Sequence, residues 1–239
     1  MKGKSLSVIF VWVLLAAVVV AGCTTSNSST SPTASPTVST PTATPVPAIG
    51  STLNVINMLY LTPVHWYQYQ ITPTGTIVDL GSGVTTAGST MTERWDFNVN
   101  YNGQNADKVA GTGNYPSNGL TGTTIDLMNH SNHKQLLGGN LTVMKNGNVI
   151  YQGDITPHLR ELESLLDLTN STYSGPHTVT YGGTETVTVP LGTYTATKYM
   201  YYGDYNLTIF VDPKVPVPVR VDAVSPSGTT YDVELMGWG

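Results

Sequence analysis

Few residues of this 239-residue chain combine type and spacing in a way that could do chemistry. The first to weigh are His130 and His133, with Asp126 upstream. Two imidazoles and a carboxylate can hold Zn²⁺ when their spacing falls on one helical turn. The Gly, Thr and Asn around them predict a loop and solvated histidines instead, so neither a metal nor a cofactor is expected. Asp204, Asn206 and Asp212 lack the dense acidic loop of a Ca²⁺ site. The chain has no Gly-x-Ser-x-Gly elbow, no His-Glu-x-x-His helix and no phosphate loop. With no nucleophile beside a base, no catalytic residue is assigned and a non-enzymatic role is expected. Trp66, Tyr67, Tyr69 and the run from Tyr199 to Tyr205 could line a sugar or lipid site, but such rings also fill sheet cores, which is the expectation here.

Cys23 is the single cysteine. It follows a basic start (Lys2, Lys4), an uncharged apolar run from Leu6 to Val20, and the small pair Ala21-Gly22. That order of charged, apolar and small segments is what export and cleavage machinery reads. Val20-Ala21-Gly22-Cys23 resembles the lipobox of secreted lipoproteins in every position. The resemblance implies a signal peptide over residues 1–22 and a lipid-modified Cys23 as the first mature residue. An uncleaved transmembrane anchor is the other reading, but the apolar run falls short of the roughly 20 residues a span needs. Two acyl chains suffice for stable anchoring. The expected location is therefore the outer face of the cytoplasmic membrane, at the cell surface, with the membrane itself as partner through the lipid.

From Thr24 to Ala48 the chain is Ser, Thr, Pro and Ala with no charge and almost no large apolar residue. Such a segment cannot bury a core, and extended at about 3.1 Å per residue it would act as a stalk. It also fits O-glycosylation. Five Asn-x-Ser/Thr sequons begin at Asn27, Asn129, Asn140, Asn170 and Asn206. In a chain where roughly a quarter of residues are Ser or Thr, about four arise by chance. Asn129, Asn140, Asn170 and Asn206 are thus candidate glycosylation sites by permission, not by enrichment.

Residues 49–239 suit one β-rich extracytoplasmic domain. The net charge is −5, charged residues are 10% of the chain, and no Lys/Arg cluster exists. This argues against nucleic acid as a partner. With Cys23 acylated no thiol remains for a disulfide, so stability must come from the core.

The periodicity is mostly two. Tyr67, Tyr69 and Ile71 alternate with Trp66, Gln68 and Gln70, and a second alternation places Trp95, Phe97, Val99 and Tyr101 on one side of a strand. Asn146-Gly147, between apolar alternations, predicts a type I′ hairpin. A second hairpin is expected from His177–Tyr181 and Thr184–Val189, joined at Gly182-Gly183. Strands are then expected over Tyr194–Tyr202, Tyr205–Val211, Val215–Val221 and Thr229–Met236, with turn chemistry between them. One helix is expected over Thr156–Leu168, with Thr156 as N-cap and Pro157 at the first position. Leu159, Leu162, Leu165 and Leu166 share its apolar face. Leu120 and Leu136-Leu137 are left open as turns or strand ends. Pro216 and Pro218 cannot donate to a ladder and belong at an edge or corner, while Val215, Val217, Val219 and Val221 point inward.

Eight to ten antiparallel strands and one helix give a curved half-barrel or a β-sandwich. The stretch Thr184-Glu185-Thr186-Val187-Thr188-Val189-Pro190-Leu191-Gly192-Thr193-Tyr194 and the later run from Phe210 to Val221 resemble the lipoprotein-carrier half-barrels, the LolA-like and LppX-like superfamily. The resemblance covers about a fifth of the chain, from Thr184 to Leu235, and consists of strand and turn signals. It implies a half-barrel with the helix packed on it and an apolar cavity, with Leu159, Leu162, Val215, Val217 and Val219 as candidate lining residues. Two functions are compatible with this reading: a tethered module binding an apolar or lipid ligand, or a structural or adhesive envelope protein without a pocket.

Overall fold

A computed structural model describes residues 48–54, 64–77, 84–85, 88–156, 178–202, 206–225 and 228–239. The expected signal peptide, Cys23 and nearly all of the expected stalk lie outside these residues, as do Asn170, Leu159, Leu162 and the predicted helix beyond Thr156. Among the described residues no helix is long and apolar enough to cross a membrane.

Among the described residues there are fourteen strands: β1 (Thr52–Asn54), β2 (Trp66–Thr74), β3 (Thr76–Ile77), β4 (Val84–Thr85), β5 (Thr90–Tyr101), β6 (Gln104–Tyr115), β7 (Leu120–Asn129), β8 (Asn132–Lys145), β9 (Asn148–Asp154), β10 (Thr178–Val189), β11 (Gly192–Tyr202), β12 (Asn206–Val211), β13 (Arg220–Val224) and β14 (Thr230–Trp238). Twelve form one antiparallel sheet in the order β1-β10-β11-β12-β13-β14-β2-β5-β6-β7-β8-β9, and β3 pairs with β4. The fold is mainly β, a single open curved sheet rather than the two sheets of a sandwich. Two meanders, β5 to β9 and β10 to β14, are joined through β2, which lies between β14 and β5.

Alternation explains which side is buried. Tyr67, Tyr69 and Ile71 of β2 face inward with their cross-strand partners Trp95, Met91 and Val233. The intervening Gln68, Gln70 and Thr72 face outward beside Arg94, Glu234 and Asp232. Arg220 joins Asp222 at 2.6 Å and Asp232 at 3.1 Å on that polar outer face. The inner face is one continuous core, held at its centre by stacked and tilted rings of Tyr67, Trp95 and Phe97. Tyr69 Oη donates to the carbonyl of Pro218 at 2.7 Å, tying β2 to the segment between β12 and β13.

Three expectations are corrected by backbone irregularities. First, Trp95 and Tyr101 do not share a face. The register slips between Asp96 and Val99, where Asn98 adopts a φ of 56°. One extra residue in a strand reverses the facing of all that follow. Trp95 and Phe97 therefore point inward, and Val99 and Tyr101 outward. Second, Gly182-Gly183 is not a hairpin turn but a bulge inside the single strand β10, with Gly183 at a φ of 92°. Tyr181 opposes Tyr199 on one face before the bulge, and Val187 opposes Tyr194 on the other face after it. Third, the strand expected over Val215–Val221 begins only at Arg220. Pro216 and Pro218 deny the preceding residues two ladder donors, and Val215–Val219 instead runs as an irregular strap across the core. Leu120 and Leu136-Leu137 belong to strands β7 and β8.

The Asn146-Gly147 hairpin is present, with φ values of 51° and 80° at its two central residues. Strands β11, β12 and β14 match their predicted spans to within two residues.

Candidate functional site

The β5–β9 meander carries different chemistry on its two faces, and β7 supplies both. Along this strand Ile125 and Leu127 point outward, while Thr124, Asp126 and Met128 point inward, as fixed by pairing of Val109 with Asp126 and Lys108 with Leu127.

On the outer face lies a groove of about 690 Å³. Its apolar wall is Tyr101, Ile125, Leu127 and Leu137, and its floor is the backbone of Gly138 and Gly139. Asn140, Asp154 and Thr156 form the polar end. The bulge in β5 turns Tyr101 to this side. Gly138 makes the ring's seat: a Cβ there would stand 3.0 Å from Tyr101 Oη and 3.8 Å from a Leu127 methyl. Asn140 sits opposite both Ile125 and Asp154 in the ladder, so the polar and apolar parts adjoin. Asp154 Oδ1 accepts the N–H of Thr156 at 2.8 Å, fixing the chain where it leaves β9. Ile125 is 44% exposed on this face.

On the inner face of the same strands, Glu93 and Asp126 lie at the junction of the main core with a smaller cluster of Leu136 and Ile155. Trp95 Nε1 donates to Glu93 Oε1 at 2.6 Å. Glu93 Oε2 and Asp126 Oδ1 are buried and meet no donor among the described residues. Burial, with the nearby Asp126 carboxyl adding to it and the Trp95 hydrogen bond opposing it, pushes Glu93 up to about 7. Burial likewise lifts Asp126 to about 6. A third inward carboxyl, Asp107, has no exposed surface and is fully engaged: it accepts the N–H of Asn98 at 2.8 Å and meets His130 Nδ1 at 2.7 Å. It anchors the bulge that turns Tyr101 outward.

The sequence's chemical candidates are thus dispersed. Asp126 turns to Glu93 and His130 turns to Asp107, and no group of three such ligands occurs among the described residues. Val215, Val217 and Val219 are buried at 4%, 8% and 0% exposure in the main core and do not line the groove. Of the sequons, Asn129 already spends its amide on Gln135 at 3.1 Å and on the Ser131 N–H at 2.9 Å. Asn140 is exposed at the groove, and Asn206 is exposed at the start of β12. The groove residues Tyr101 and Asp154 were not singled out by sequence reasoning, nor was Glu93. A usable signal did exist for Glu93, which stands at an inward position between Met91 and Trp95 in a strict alternation. No protein-family model matches this chain, and no curated protein matches its sequence.

Proposed function

We propose that this protein is a non-enzymatic lipoprotein, anchored through Cys23 to the outer face of the cytoplasmic membrane, whose β domain binds an apolar or lipid ligand. The observation that carries this reading is the outer-face groove. Its volume falls within the range of small-molecule sites, roughly 300–1,000 Å³, and it combines an apolar wall with a few convergent polar groups. An acyl chain would lie along Tyr101, Ile125 and Leu127, with a polar head at Asn140, Asp154 and Thr156. The inner concavity, where the resemblance to lipoprotein carriers would seat a ligand, is occupied in its central part by the strap valines and the Tyr67–Trp95–Phe97 rings. The outer-face groove is therefore the site proposed for the ligand.

Native mass spectrometry of the protein extracted from its own membrane tests this. The expected result is a lipid-sized adduct in addition to the modification on Cys23, lost in Ile125→Asp. An adduct-free wild type, or an adduct unchanged by Ile125→Asp, overturns the reading. Cys23→Ser separately tests the anchor, with release of the protein from the membrane as the expected result.

A structural or adhesive role has one specific observation in its favour. Val149, Ile150 and Tyr151 are 56%, 58% and 40% exposed on β9, which ends the sheet order. Apolar side chains on an edge strand suit contact with a neighbouring envelope component. Loss of surface cross-links in Ile150→Lys, with the adduct retained, would favour that role.

A further inference from the structure

We propose that Glu93 and Asp126 form a proton lock within the sheet: both carboxyls are protonated in the folded domain under mildly acidic conditions, and their ionisation loosens the β5–β7 seam between the two inner clusters. The geometry leaves the charged forms poorly supported. Glu93 is 6% exposed, with one donor, Trp95 Nε1, for two oxygens, and Asp126 Oδ1 has none among the described residues. A buried carboxylate needs several hydrogen bonds or a cation, and without them it is far less stable than its acid.

The groups facing the pair do not supply these. From β2 comes Tyr69, directly opposite Glu93, whose hydroxyl is directed to the Pro218 carbonyl. From β6 come Gly111 and Val109, and further along Asp107 with His130 held against it. From β8 come Gly139 and Leu141. The strap reaches this region through the Pro218 carbonyl, an acceptor already taken by Tyr69. The cations of β5 and β6, Arg94 and Lys108, lie on the outer face with Asp96.

The direction of the pH effect follows. A carboxyl whose folded pKa is raised keeps its proton after the unfolded chain has lost it, so its contribution is fully present at low pH and falls as pH rises. For Glu93 the fall runs from 4.5 to about 7, and for Asp126 from 3.8 to about 6. The domain is therefore suited to an acidic exterior and weakens toward neutrality, whatever occupies the groove.

The test is the thermal midpoint of the full-length chain in detergent across this window. The expected result is a wild-type midpoint that drops by about 5 °C or more between pH 4.5 and pH 7.5. Glu93→Gln, an isostere of the protonated acid, should remove most of that drop and raise the midpoint at pH 7.5. A midpoint that is flat or rises with pH overturns the proposal, as does a Glu93→Gln profile parallel to wild type. Should Glu93→Gln not fold, carbon-13 carboxyl titration of the wild-type chain decides. Glu93 titrating near neutrality, and lower in Asp126→Asn, supports the lock, and ordinary titration near 4.5 defeats it.

Discussion

Tyr101 lies over Gly138 on the outer face of the sheet, so close that a single methyl on the glycine would come to 3.0 Å from the phenol oxygen. This contact exists only because the bulge at Phe97-Asn98 rotates the end of β5 away from the core that holds Trp95. Gly138→Leu should force the ring into the groove and abolish the lipid adduct in native mass spectra. Ile125→Asp should do the same by charge. Because Ile125 is 44% exposed, its replacement should cost only about 1 kcal/mol in urea unfolding, too little to unfold the domain.

Asp107 makes the bulge possible from within. Its carboxylate receives the Asn98 N–H and the His130 ring with no exposure to solvent. Asp107→Ala leaves the partly buried Asn98 N–H and the His130 ring without their acceptor, at a cost of about 1–3 kcal/mol by urea unfolding. It should also lower adduct retention, since Tyr101 loses its fixed orientation. Asn98→Gly should be tolerated, because glycine adopts the positive φ freely, and Asn98→Val should not.

Tyr69→Phe isolates one bond across 149 residues of sequence. It leaves the Pro218 carbonyl buried without its donor and should cost about 1–2 kcal/mol, with no effect on the groove. An unchanged urea midpoint would mean the strap is held by its valines alone.

Gly147 has a φ of 80° and nothing within 4 Å of where a Cβ would stand. Gly147→Ala therefore reports backbone strain without a steric clash, and the expected loss is about 1 kcal/mol.

In a glycosylating host, glycopeptide mapping should find Asn206 the most occupied of Asn129, Asn140 and Asn206. Asn129 is engaged with Gln135, and a sugar on Asn140 would fill the groove's polar end. A glycan on Asn140 and a lipid adduct should accordingly exclude each other in the same molecule.

Much of the architecture was legible because it is local. Asn146-Gly147 specifies a turn by its own φ preferences, and Tyr67, Tyr69 and Ile71 declare a buried face by a period of two. The errors fell where one residue changes the period: at Asn98, at Gly182-Gly183, and at the Pro216 and Pro218 strap. A bulge is invisible in composition, since the residue that slips is identified only by what stands opposite it. For the same reason the groove could not be read in advance, as its wall takes Tyr101 from β5, Ile125 and Leu127 from β7, Leu137 from β8 and Asp154 from β9.

The sequence by itself determined that the domain is β-rich, where most of its strands run, and that Cys23 stands in a lipobox-like setting, because these depend on neighbours a few residues apart. Only the tertiary structure decided which face the side chains beyond each bulge take. Register across the twelve-stranded sheet is a long-range property, and it set Tyr101 over Gly138 and Glu93 near Asp126.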